Sequence, residues 1–501
     1  MREEKVAARR SFGVIGGLGP LASADVFFKL VKATPATNDA EHLDLIFEQR
    51  PFRGPDGTGA AFDYTERKLY VFDMLRAFEK RGVDAVILPC FLSHTFFDEL
   101  QSNTTLRIVN MVEALRVHVR RKYPGVRRVG MLSSAYTRDK QLFERYFTAP
   151  DFEVLHPRAT DGRGPVDAAV YGADGIKAGK LGGGSVELLQ DACADLIERG
   201  AQLILPGLTE VSLVVEALQQ HDIPVLDSNL IYAKYAVSSS YDSIVKPFKI
   251  GVVGGVGPAA TVDFVRKIVS NTAAARDQDH IKLVVEQNPQ IPDRTESLLG
   301  NGPDPTIALY ATCKRLEADD ADLIAIPCNT AHAFVERIQP YLSIPIVNML
   351  TVTAEHLKAN FPGLRDVGLL ATSGTIESGV YRKALEVLGL IQVAPRPAMQ
   401  ARVMSAIYGP RGVKAGHTSG ECMQDILAAA GSLIDDGVRV IILGCTELPL
   451  LLPMEEIESA EGVRATLVDP TQILARRCVD YAIDASKKAV EHVARRPEAL
   501  D

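Results

Sequence analysis

The strongest constraint on this chain is that it repeats itself. Phe12-Gly-Val-Ile-Gly-Gly-Leu-Gly-Pro20 is matched by Ile250-Gly-Val-Val-Gly-Gly-Val-Gly-Pro258, with Gly13 and Gly251 lying 238 positions apart. The same offset relates Pro89-Cys90 to Pro327-Cys328, His94 to His332, Asn110-Met111 to Asn348-Met349 and Gly130 to Gly368. With one residue deleted, an offset of 237 relates Tyr171-Gly172 to Tyr408-Gly409, Lys177 to Lys414, and Gly207-Leu-Thr-Glu210 to Gly444-Cys-Thr-Glu447. Chance does not hold one register through so many matches. The fold must therefore be one that each of two homologous lobes, 11–236 and 249–490, can complete, with the stretch Ser238–Phe248 joining them.

Within each lobe, short β-branched runs alternate with amphipathic stretches. In the second lobe the runs are 250–253, 282–286, 323–326, 346–347, 367–370, 440–443 and 467–468, and the stretches between them include 261–270, 305–318 and 419–436. Apolar strands alternating with helices predict an α/β fold with parallel sheets covered on both faces. Two subdomains facing a cleft are expected in each lobe, with its last strand and last helix returning to the first subdomain.

Composition narrows the function classes. The 501 residues are 47% hydrophobic and carry a net charge of −8, so neither nucleic acid nor an anionic membrane surface is an expected partner. No apolar run reaches the roughly 18 residues of a membrane span, and Met1–Arg10 is charged with no apolar segment behind it, so no secretory signal is expected. Seven cysteines without a C-x-x-C pair argue against a disulfide framework or a zinc site and suggest a reducing, cytoplasmic setting. No metal is expected.

Three second-lobe motifs sit where strands end, the place where open α/β sheets bind ligands. Leu323-Ile-Ala-Ile-Pro-Cys328-Asn329-Thr330-Ala-His332 sets a thiol, an amide and a hydroxyl just past a strand, and Val440-Ile-Ile-Leu-Gly-Cys445-Thr446-Glu447 repeats the device. Gly254-Gly-Val-Gly-Pro258 opens a helix and offers backbone N–H groups to an anion. A lone strand-end cysteine is usually apolar filler; two, each flanked by hydroxyl or amide residues in separate halves of a lobe, read as a functional pair. The string Gly255-Val-Gly-Pro-Ala-Ala260 resembles a dinucleotide fingerprint only weakly, because its proline lacks an N–H. His332 and His94 suit a local packing role as well as one in tuning the thiol. Asp293-Arg294 and Lys414 are surface charges by default, but in a cleft they are what a carboxylate needs.

At these residues the second lobe resembles the aspartate/glutamate racemase family, the cofactor-independent two-cysteine amino-acid racemases. The resemblance rests on Gly254–Pro258, Asn288-Pro-Gln-Ile-Pro-Asp-Arg294-Thr295, Pro327-Cys-Asn-Thr-Ala-His332, Leu370-Ala-Thr-Ser-Gly-Thr375, Val413-Lys-Ala-Gly416 and Gly444-Cys-Thr-Glu447, in order across nearly the whole lobe. It implies two Rossmann-like subdomains per lobe, with one cysteine from each facing across a cleft. It also implies racemisation of an acidic amino acid, most simply aspartate, with Cys328 and Cys445 as the two bases and no cofactor. Asn329, Thr330, Thr372 and Thr375, with Thr446 nearby, would hold the substrate carboxylate and the developing enediolate. Arg294 and Lys414 would hold the carboxylates, Arg294 clamping that of the side chain. Cysteine suits the task because its reference pKa of about 8.5 puts both thiol and thiolate within reach near neutrality.

The first lobe departs from this pattern. It keeps Cys90, His94, Lys177, Thr209 and Glu210, but has Phe91 and Leu92 opposite Asn329 and Thr330, Leu208 opposite Cys445, and Asp56 opposite Arg294. Ser134 and Thr137 stand opposite Thr372 and Thr375, and Arg53 is the nearest substitute for the missing arginine. A leucine cannot shuttle a proton, so this lobe is expected to be degenerate. It would act as the partner half of an internal pseudo-dimer, bind an effector, or do one-base chemistry with Cys90; further homo-oligomerisation stays open. The rival readings of the whole chain are a non-catalytic amino-acid or dicarboxylate binding protein and another cysteine-dependent isomerase of the superfamily. Retention of both thiols counts against the first, and the Arg294–Lys414 pair against a hydantoin substrate.

Overall fold

A computed structural model describes residues 10–53, 64–158, 164–221, 223–239 and 246–494. The chain divides into two compact units, Met1–Ile244 and Val245–Asp501. In the first unit, β1 (Ser11–Gly16), β2 (Asp44–Gln49), β3 (Ala85–Ile87) and β4 (Arg107–Val109) form a parallel sheet in the order β2-β1-β3-β4. A second parallel sheet places β5 (Arg128–Ser133) between β6 (Glu153–Leu155) and β7 (Leu203–Gly207).

The second unit repeats the plan. Its first sheet, β8 (Lys249–Gly254), β9 (Lys282–Gln287), β10 (Leu323–Ala325) and β11 (Ile346–Val347), is parallel in the order β11-β10-β8-β9. Its second sheet comprises β12 (Asp366–Leu370), β13 (Ile391–Val393), β14 (Val440–Leu443), β15 (Glu456–Glu458) and β16 (Arg464–Val468), ordered β13-β12-β14-β16-β15. Only the β15–β16 pair is antiparallel. The chain is thus α/β, with two parallel-sheet subdomains in each unit.

The strands read as continuous apolar runs because both faces are covered. Ile250 and Val252 on β8 pack with Phe264, Leu474, Ala475 and Cys478 on one side. Val253 packs with Leu309, Cys313 and Leu316 on the other. Each buried Val, Leu, Ile or Phe side chain among them contributes about 1.5–3 kcal/mol. Helices begin where the sequence supplies caps: the Asn348 side chain accepts from the N–H groups of Leu350 and Thr351, and Asn110 accepts from Glu113 at the matching helix. Pro258 and Pro20 occupy first helical turns, where their missing N–H costs nothing.

The expected return to the first subdomain is half right. The final helix, Pro470–Ala494, packs against the helices Pro258–Asn271 and Met349–Asn360, and Ser228–Ser238 does the same on Pro20–Ala33 in the first unit. The last strand, however, stays behind: β16 pairs with β14 in the second sheet. Extending that sheet gives β16 a backbone partner on each side, whereas a helix needs only an apolar face to dock. Each return is tied by an ion cluster, Lys267 with Asp263 and Asp469, and Lys29 with Asp25 and Asp227. Among the described residues, no helix is long and apolar enough to cross a membrane.

Candidate active site

Cys328 lies three residues past β10 and Cys445 two past β14, one from each sheet of the second unit, and each is 7% exposed. The loop carrying Cys328 is fastened by His332, whose Nδ1 lies 3.0 Å from the Cys328 carbonyl oxygen, while its Nε2 accepts from the Met349 N–H at 3.0 Å. An accepting Nε2 makes Nδ1 the donor, so the ring is neutral, and burial lowers its pKa. His332 therefore ties backbone to backbone rather than reaching the thiol. His94 makes the same two contacts with Cys90 and Met111, at 2.9 and 3.0 Å.

Arg294 begins the short helix Arg294–Leu298, capped by Asp293. Its guanidinium is buried, donates to the carbonyls of Ile291 and Pro292 at 3.3 and 3.0 Å, and interacts with the Cys328 thiol. Burial opposes its charge, but Cys328 and Asp293 outweigh that, and the net pKa is raised. Among the described residues nothing hydrogen-bonds its Nε. The Asn329 side chain is 1% exposed; its Oδ1 accepts from Tyr381 Oη at 2.6 Å, while its Nδ2 has no partner among the described residues. Buried unpaired donors cost about 1–3 kcal/mol, so Arg294 Nε and Asn329 Nδ2 are donors held ready for an acceptor.

A buried ladder of hydroxyls links loops from both sheets. Thr295 donates to Thr372 at 3.0 Å, Thr330 and Thr375 lie 2.7 Å apart, and Thr372 meets Thr375 at 3.1 Å. Gly374 permits this: a Cβ there would stand 2.8 Å from Thr295 Cα.

The second thiol has a different setting. Cys445 Sγ donates to Glu447 Oε2 at 3.1 Å, Thr446 Oγ1 approaches the same oxygen at 3.3 Å, and Lys414 Nζ pairs with Glu447 Oε1 at 2.9 Å. The three groups titrate consistently. Burial and then the Glu447 charge push the Cys445 pKa well up. Burial would raise Glu447 and lower Lys414, but each is moved further the opposite way by the other. Glu447 is thus an anion, Lys414 a cation and Cys445 a thiol. Lys414 also lies over the Tyr408 ring at 5.4 Å, and Tyr408 Oη donates to Asp293 at 3.1 Å, joining the Lys414–Cys445 wall to the Arg294–Cys328 wall. The glycine loop packs here too. At Gly257, φ is +122° and a Cβ would stand 2.6 Å from Glu447 Oε1, so the loop's glycines serve close approach to this carboxylate.

In the first unit the Lys177 Nζ–Glu210 Oε1 pair recurs at 2.9 Å, with Thr209 against Glu210 at 3.2 Å. Lys177 also donates to the Leu18 carbonyl at 3.0 Å. Leu208 and Leu92 are buried at the positions matching Cys445 and Thr330. Phe91 packs on Phe143 with centroids 5.4 Å apart, at positions matching Asn329 and Tyr381. A hydrogen-bonded polar pair in one unit is an aromatic pair in the other. Asp56 lies outside the described residues. Arg53 is exposed, whereas the guanidinium beside Cys90 belongs to Arg67, with Nη1 3.9 Å from Sγ.

Several of these residues were not singled out from the sequence. Glu447 and Tyr408 carried a signal, since both stand at matched positions of the repeat. Thr295 stood at the end of a quoted motif without a role of its own, and Tyr381 carried no signal until the loops met in space. Arg67 was hidden because the repeat aligns it with Pro305.

The model of the Asp/Glu/Hydantoin racemase family matches residues 15–236 and again 253–478. The broad specificity amino-acid racemase RacX of Bacillus subtilis is 27% identical over 236 residues, 46% of this chain and 96% of that protein. The glutamate racemase of Pediococcus pentosaceus is 29% identical over 214 residues, 41% of this chain and 75% of the relative. Among solved structures, the Picrophilus torridus aspartate racemase shares 30% identity over 47% of this chain and 94% of that one, with a TM-score of 0.40.

Proposed function

The chain belongs to the Asp/Glu/Hydantoin racemase family, in two tandem copies, and from that membership we propose that its second unit racemises an acidic amino acid, aspartate first, by two-base proton transfer between Cys328 and Cys445. The observation that carries this reading is the unequal wiring of the two thiols. Cys445 is held as a thiol by Glu447, while Cys328 stands beside the fixed Arg294 cation.

In this reading Cys328, as thiolate, removes the α-proton from one face of the substrate. The C–H electron pair moves into the α-carboxylate as an enediolate. Cys445 then gives its S–H proton to the opposite face, leaving a thiolate that Lys414 offsets. The opposite enantiomer runs the exchange backwards. An α-proton is a weak acid, so the enediolate needs preorganised donors. Asn329 Nδ2 and the Thr330, Thr372 and Thr375 hydroxyls are buried, and the three hydroxyls lie within hydrogen-bond reach of one another, with Thr446 on the Cys445 side. Arg294 takes the side-chain carboxylate through its unpaired Nε edge, a planar two-donor contact that guanidinium suits. Lys414 is already bound to Glu447, and its remaining donors contribute to carboxylate binding from the Cys445 wall. None of these steps calls on a cofactor. The first unit, with Leu208 in place of the second base, takes no part in inversion.

The test is proton NMR of L-aspartate, then L-glutamate, in D₂O with purified full-length protein. Loss of the α-proton signal with appearance of the D-enantiomer is expected, and both must vanish in Cys328→Ser and in Cys445→Ser. Racemisation that survives either substitution would overturn the two-base mechanism.

A further inference from the structure

Arg67, on the helix Thr65–Glu79, is a buried cation that the proposed reaction does not use. It is 6% exposed, its Nη1 lies 3.9 Å from Cys90 Sγ, and the Phe52 ring covers its Cζ at 4.7 Å. Among the described residues nothing hydrogen-bonds its Nε. A buried guanidinium with an idle donor is costly, more so than a neutral group.

Arg67 is also not inherited through the repeat. In the second unit the guanidinium beside the first thiol comes from Arg294, whose neighbour Thr295 sits against Gly374. The first unit has Tyr136 at the Gly374 position, its ring tilted against that of Tyr64 with centroids 3.9 Å apart. Tyr136 cannot give the room that Gly374 gives Thr295, and a different helix, Thr65–Glu79, brings a cation to Cys90. Arg67 and Arg294 share the same unmet need, a buried Nε without a partner among the described residues on a guanidinium that lies beside a strand-end cysteine.

The surroundings define what would satisfy it. Lys177 is spent on Glu210 and the Leu18 carbonyl, so Arg67 is the cation with donors to spare. Asp167, buried with Oδ2 accepting from the Ala135 N–H, belongs to the same cluster and would repel a second carboxylate. Phe52, Tyr64, Tyr136, Leu18 and Leu92 belong with Cys90 to one apolar cluster.

We infer that the surroundings of Arg67 and Cys90 in the first unit are a second ligand site, in which Arg67 receives the carboxylate of a small monocarboxylate with an aromatic or apolar body. With Leu208 opposite, the ligand is held and not inverted. This inference does not depend on the racemase mechanism of the second unit.

Cys90 is partly exposed and reports on the site. The full-length protein is alkylated with iodoacetamide, and the peptides carrying Cys90, Cys328 and Cys445 are followed separately by mass spectrometry. Phenylacetate should slow Cys90 alkylation about tenfold at about ten times its Kd, by mass action, whereas the uncharged isostere phenylacetamide and the dicarboxylate succinate should not. The protection should disappear in Arg67→Leu. No protection of Cys90, equal protection by the amide, or protection that persists in Arg67→Leu would overturn the site. Equal protection by succinate would overturn the monocarboxylate class. The amide comparison uses unaltered protein, so it decides the matter even if Arg67→Leu fails to fold. Because Cys328 and Cys445 are read independently, ligand occupying the second unit is distinguishable from ligand at Arg67.

Discussion

Cys445 and Glu447 are held 3.1 Å apart, the thiol donating to a carboxylate whose other oxygen is paired with Lys414 at 2.9 Å. This arrangement keeps a proton on sulfur at a position where the proposed reaction needs an acid; the base of that proposal is Cys328, with Arg294 beside it.

Glu447→Gln removes the charge that helps to hold the Cys445 proton. The Cys445 pKa should fall, because a neighbouring negative charge disfavours the thiolate. In the direction where Cys445 is the base, the acid limb of the rate should move to lower pH; where Cys445 is the acid, the alkaline limb should move down too. Initial rates from each enantiomer across pH measure both. Unchanged limbs would remove Glu447 from the proton path.

Arg294→Ala should raise KM for aspartate on the order of 10- to 100-fold, the loss of a charged hydrogen-bonded contact, and alter any turnover of alanine far less. Steady-state kinetics on both substrates are decisive: equal losses would mean that Arg294 positions Cys328 rather than the side-chain carboxylate.

Asn329→Phe alone should set an aromatic ring against the Tyr381 hydroxyl and strand it, costing about 1–3 kcal/mol. Adding Tyr381→Phe recreates the Phe91–Phe143 pair of the first unit. The double variant should unfold at a higher temperature than the single one and show no α-proton exchange. Additive destabilisation would mean the two positions are not coupled.

Burial lowers the His94 pKa to about 4 and lowers that of His332 as well. In the unfolded chain both titrate near 6.5. Below about 6.5 the unfolded chain takes up protons that the folded chain refuses, so this stability is present in full above about 6.5 and declines as pH falls toward 4. His94→Gln should lower the unfolding temperature at pH 8 and flatten its fall between 6.5 and 4, as followed by calorimetry. An unchanged slope would show that His94 does not control it.

The motifs that fall immediately after a strand were readable because strand ends and sequence order coincide. Cys328, Asn329 and Thr330 arrive together on one loop, as do Cys445, Thr446 and Glu447. The hydroxyl ladder was readable only as separate threonines, since Thr295, Thr330 and Thr372 come from three loops. Lys414 read as a ready anion receptor because its pairing with Glu447 spans 33 residues.

The sequence by itself determined the duplication, the parallel-sheet class and which lobe retains two strand-end thiols. These depend on local periodicity and on matched positions, both written along the chain. Tertiary structure alone decided that Glu447 faces Cys445, that β16 stays in the second sheet and that Arg67 lies beside Cys90. A side chain's charge state and partners follow from which groups share its buried volume, and packing brings those groups together from loops and helices far apart in the chain.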